Sequence, residues 1–88
     1  MAQMTKAQID AFLAPPRHAI VATNRADGPP QVTPVWYLYE EDHMYISAGA
    51  GTVKVQHLRR DPQVTICVDG GHPDARYVIL QGAVTILE

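Results

Sequence analysis

The sequence has one cysteine, one serine, one tryptophan and no apolar run near the ~20 residues that a membrane-spanning helix needs. The lone Cys67 excludes an intrachain disulfide and any cysteine-rich zinc module. It lies in the apolar run Val64-Thr65-Ile66-Cys67-Val68, where a thiol behaves as a small hydrophobe. The lone Ser47 has no nucleophile-elbow context, which removes serine-hydrolase chemistry. His18, His43, His57 and His72 stand apart, with no i, i+4 pair and no neighbouring cysteine, so no metal site is expected. Excess positive charge is also missing. Seven Lys and Arg against nine Asp and Glu give a formal charge of −2, and Arg59, Arg60 and Arg76 are too few for a basic face. Nucleic-acid binding is therefore not expected. With no signal-peptide core and no membrane segment, the expected location is the cytoplasm.

What is there is globular. Apolar residues make up 47% of 88 positions and charged ones 18%. That length suits one domain, residues 1–88. A chain of this size buries only about 60–65% of the surface its unfolded form exposes, which favours a partner subunit.

Thr5-Lys6-Ala7-Gln8 has capping-box spacing, and Ile9, Phe12 and Leu13 fall on one face of the helix it would start. Pro15-Pro16 ends that helix. Strands are expected over His18–Thr23, Gln31–Tyr39 and His43–Ser47, separated by Ala26-Asp27-Gly28-Pro29-Pro30 and Glu40-Glu41-Asp42. A short helix should follow over Thr52–Asp61, with Thr52 as its cap and Pro62 as its stop. Strands over Val64–Asp69 and Arg76–Leu87 complete the order α-β-β-β-α-β-β. Such an order fits a small, mainly β, antiparallel barrel. Pro34 reads as an edge or bulge marker and Gly82 as a bulge or a close backbone approach. The last strand would leave an edge open to pairing.

Two places carry possible chemistry. Around the second helix start, Ser47, Gly49, Gly51, Thr52 and Lys54 combine hydroxyls, adaptable backbone and a cation, a pattern that suits an anion. An ordinary strand-to-helix turn reads the same way, and Gly-Ala-Gly is neither a P-loop nor a dinucleotide fingerprint. In Pro34-Val35-Trp36-Tyr37, main chain freed by the proline lies beside aromatic rings and could receive a flat heterocycle. A core or interface role for Trp36 fits equally. The acids Asp27, Glu40, Glu41, Asp42, Asp69 and Asp74 fall in turns, so no paired-carboxylate site is expected.

Ala19-Ile20-Val21-Ala22-Thr23, Asp27-Gly28, Pro34-Val35-Trp36-Tyr37, Lys54, Leu58-Arg59-Arg60-Asp61-Pro62 and Gly82-Ala83 occur in an order that resembles the pyridoxamine 5′-phosphate oxidase-like split-barrel superfamily. Its actinobacterial branch of flavin and deazaflavin (F420) oxidoreductases is the nearest likeness. The resemblance implies a split β-barrel homodimer with the cofactor between subunits. Val35, Trp36 and Tyr37 would line the ring system of F420, or alternatively FMN, and Ser47, Thr52 and Lys54 would receive phosphate. Hydride transfer to or from a small organic substrate would follow. Relatives usually carry more basic residues in the phosphate helix, where this chain has Thr52 and Gln56. They also continue through another helix and a final strand, so the chain is expected to be C-terminally incomplete relative to the family. Two other readings stay open: a cofactor-binding module without turnover, and a ligand-free interaction fragment.

Overall fold

The computed structural model describes residues 3–49 and 51–87. Helix α1 spans Lys6–Leu13. The Thr5 hydroxyl accepts from the Gln8 N–H at 3.2 Å and the Gln8 side chain accepts from the Thr5 N–H at 2.8 Å, the reciprocal pair that the spacing predicts. Ala14 donates to the Asp10 carbonyl and closes the last turn before the two prolines.

Strands β1 (His18–Thr23), β2 (Gln31–Glu40), β3 (His43–Ile46), β4 (Gln63–Asp69) and β5 (Tyr77–Ala83) form one sheet in the order β3-β2-β1-β4-β5. Every neighbouring pair is antiparallel. Helix α2, Val53–Arg60, connects β3 to β4 across the sheet and rests on β1. The sheet curls into a half-barrel of the split-barrel type.

Alternation decides the two faces. Ala19, Val21 and Thr23 of β1 point inward, as do Val35 and Tyr37 of β2, Ile66 and Val68 of β4 and Val78 of β5. The register aligns them, with Ala19 opposite both Val35 and Val68, and Val68 opposite Val78. Phe12 and Leu13 of α1 cap this core. Each fully buried aliphatic or aromatic side chain contributes about 1.5–3 kcal/mol, which anchors an eight-residue helix that would be unstable alone.

One open reading resolves and two expectations change. Pro34 lies on a stretch of β2 that pairs with β1 in unbroken register and has no partner on its other side among the described residues, because β3 pairs only with Tyr37–Glu40, so it marks a local edge and not a bulge. Gly82 pairs with Val64 in regular register, and a Cβ there would meet nothing within 4 Å, so it is neither a bulge nor a close approach. The last strand ends at Ala83, not Leu87. Continued register would put Val84 opposite Pro62, where β4 has not begun, and a single bond from Val84 N–H to the Pro62 carbonyl closes the ladder. Among the described residues the outer edge of β5 has no strand partner. The end of the sequence, Glu88, lies outside the described residues, as do Met1, Ala2 and Ala50 of the Gly-Ala-Gly stretch.

Candidate functional site

The face of the sheet turned away from α1 is unusually apolar. Ile20, Val32, Trp36, Leu38, Tyr77 and Ile79 are all exposed on it. They form a continuous band, since Ile20 lies between Pro34 and Cys67, Cys67 faces Ile79, and Leu38 faces Tyr45. Trp36 is 62% exposed, and the ring of His18, its cross-strand partner, lies 3.9 Å away at a 43° tilt.

At the β2–β3 end of this band a groove of about 390 Å³ is lined by Trp36, Tyr37, Leu38, Tyr45, Ile46 and Ser47. The groove opens where β3 stops. Its last paired residue, Ile46, faces Tyr37, and the β2 edge from Gln31 to Trp36 has no partner strand on that side among the described residues. Free main-chain groups, an exposed indole and the Ser47 hydroxyl therefore converge. A second cleft, of about 340 Å³, lies near the other end of β1 between Asn24, Gln63, Thr65 and Gln81. No charged or aromatic side chain lines it.

The six residues singled out from the sequence are distributed unevenly. Trp36, Tyr37 and Ser47 line the groove. Only Trp36 and Ser47 offer exposed side chains there. Val35 is 8% exposed with its side chain in the core, so only its backbone can serve a ligand. The Tyr37 phenol turns inward and donates to the Leu13 carbonyl at 3.1 Å, and burial pushes its pKa up. Thr52 is the α2 cap. Its hydroxyl donates to the Gly49 carbonyl at 2.8 Å and accepts from the Val55 N–H at 3.4 Å, so it is already engaged. Lys54, half-buried in the first turn, has no ion-pair partner among the described residues. The Thr52 N–H and hydroxyl both donate to the Gly49 carbonyl, a local turn that leads into α2, whose cap, Thr52, lies five residues along the chain from Ser47.

His18, Leu38 and Tyr45 escaped the sequence reading. Leu38 shares the strand parity of Trp36, and that parity was the available signal. Tyr45 and His18 reach the face only through pairing register, which a single sequence does not give.

Polar anchors fix the surroundings. Lys6 bridges Asp10 at 2.7 Å and Asp42 at 2.6 Å, while the Tyr39 hydroxyl donates to Asp10 at 2.7 Å. These contacts tie α1 to the β2–β3 turn. The Lys6 ammonium, and after it the Tyr39 hydroxyl, hold the Asp10 carboxyl below its usual range. Among the described residues no cluster of three or more His, Cys, Asp or Glu could hold a metal. No described helix is long and apolar enough to cross a membrane.

The sequence profile of pyridoxamine 5′-phosphate oxidase matches residues 5–88. The chain belongs to the pyridoxamine 5′-phosphate oxidase family. It is also similar to the crystal structure of a conserved hypothetical protein, Rv2991, from Mycobacterium tuberculosis, at 30% identity and a TM-score of 0.83. That match covers 92% of this chain and 52% of the other, so the chain spans about half the length of that relative. No curated protein sequence matches. Members of the pyridoxamine 5′-phosphate oxidase family generally bind flavin-type cofactors, which directs attention to the aromatic groove.

Proposed function

We propose that this chain binds a flavin-type cofactor, F420 in preference to FMN, in the β2–β3 groove, and that two copies enclose it to exchange hydride with a small organic substrate. The observation that carries the reading is the place where β3 leaves β2. There an apolar groove, main chain of β2 without a strand partner among the described residues, and an exposed indole meet Ser47. Five residues further along the chain Thr52 caps helix α2, with Lys54 in its first turn and without an ion-pair partner among the described residues.

The residues fit such a group. A planar ring system rests on the exposed side chains of Trp36 and Leu38, with Tyr45 beside them. Polar edges of the ring find the free β2 main chain near Val35 and Trp36. Ser47 and Lys54 receive phosphate, helped by the positive end of α2. Thr52 contributes by holding the cap and not through its hydroxyl. When bound, the cofactor supplies hydride transfer; the protein orients it and excludes water. The apolar band continuing from the groove toward Ile20 and Ile79 gives the second copy a surface to cover.

Trp36 is the single tryptophan and reports on its own groove. Titration with F420 and with FMN should quench its emission saturably, more tightly for F420. Lys54→Ala should weaken binding about tenfold through loss of a charge-assisted contact. No saturable change with either compound overturns the proposal. Binding without hydride exchange across a panel of small acceptors supports the module without turnover.

A further inference from the structure

Helix α2 is held to the sheet by little apolar burial. Val55 is its one buried residue among those described. Polar contacts do the rest, and they differ in kind. The Arg60 guanidinium donates to the Asn24 carbonyl, and the Asn24 amide donates to Asp61 at 3.1 Å, both exposed and both directed to the chain just past the end of β1. The third contact is half-buried. The Thr23 hydroxyl, on an inward position of β1 and 1% exposed, lies 3.0 Å from His57 Nδ1. Thr23 is locked by strand pairing on both sides, to Gln31 and to Val64.

His57 stands three residues after Lys54, about 4.5 Å along the helix axis. A half-buried contact there, from a strand position locked on both sides, restricts how far the first turn lies from the sheet and how it is rotated. The exposed contacts at Arg60 and Asp61 act near the far end of the helix. We infer that His57, through Thr23, is a positioning residue that places Lys54 for phosphate recognition at the groove. The inference rests on the proposed cofactor site. It adds a half-buried residue pair, away from the groove, that governs selection for phosphorylated over unphosphorylated ligands.

The test compares wild type with Thr23→Val, which keeps shape and loses the hydroxyl, His57→Leu, which loses the ring nitrogens, and His57→Asn, which restores a polar atom close to the Nδ1 place. Dissociation constants are measured by Trp36 quenching for FMN against riboflavin, and for F420 against its chromophore without the phosphodiester tail. Amide hydrogen exchange is followed over residues 53–57. Thr23→Val and His57→Leu should weaken the phosphorylated ligand about tenfold, the value of one hydrogen bond, and speed exchange in the first turn of α2. The phosphate-free partner should change less than about twofold, because its contacts lie on β2 and β3. His57→Asn should recover most of the loss, and a general loss of folding would instead weaken both ligands alike. An unchanged ratio of phosphorylated to phosphate-free affinity overturns the inference, whatever the exchange shows. Should wild type bind none of the four compounds, the cofactor reading falls, and exchange alone decides whether the anchor exists: unaltered rates in Thr23→Val refute it and faster rates support it.

Discussion

Single side chains in this fold divide into those that hold the core and those that face the groove, sometimes at adjacent positions. Tyr37 is the clearest case. Its backbone lines the groove while its phenol is bonded to the Leu13 carbonyl inside. Tyr37→Phe should lower stability by about 1 kcal/mol, measured by urea denaturation, with little change in cofactor affinity. Trp36→Ala should do the reverse, because the indole is largely exposed. Asp74 contributes to the acid dependence, its carboxyl held down to about 2 by the Arg76 side chain and backbone N–H. Its folded value is below its unfolded value, so the contact stabilises fully above the unfolded carboxylate range and is lost as pH falls toward 2. An NMR carboxyl titration should place the Asp74 midpoint near 2, and Asp74→Asn should remove a stability difference that is present at pH 6 and mostly lost by pH 2. From sequence, the aromatic segment that lines the groove was legible at Trp36 and Tyr37, with Ser47, but inward or outward direction was not. Val35 and Trp36 were read as equivalent, whereas strand pleat sends one to the core and one to the groove.

At the level of elements, caps and stops were the most readable signals because they are local. Thr5, Thr52, Pro15 and Pro62 mark helix ends in the sequence as they do in the fold. Pairing was less readable because it is not local. Nothing near Gly82 or Val84 reveals that β4 starts only at Gln63, and that start is what ends β5 at Ala83. The β2–β3 connection shows a local conflict that the fold accepts. Glu41 and Asp42 both adopt left-handed backbone, with φ of 51° and 64°, the pattern of a two-residue hairpin turn that favours Asn or Gly. Asp42 is retained by its bond to Lys6, but the Glu41 side chain has no such partner among the described residues. Glu41→Gly should therefore raise stability by about 1 kcal/mol or slightly less, read as a higher urea midpoint with an unchanged slope.

For the whole molecule, the main feature is the imbalance between its two faces. One face carries α1 and the core; the other displays Ile20, Trp36, Leu38, Tyr45 and Ile79 with no cover among the described residues. A face of that kind favours self-association, and Ile79→Lys should shift sedimentation toward the monomer while leaving the unfolding midpoint of the separated chain within about 0.5 kcal/mol of wild type. Which residues share the apolar face was not legible in the sequence, because it follows from the pairing register. The same separation has an evolutionary meaning. Folding depends on one parity of each strand, so substitutions at Trp36, Leu38 or Tyr45 on the other are nearly free of folding constraint. Under the proposed cofactor reading, a lineage can retune the chemistry it accepts by single steps, without first acquiring stability to spend on the change.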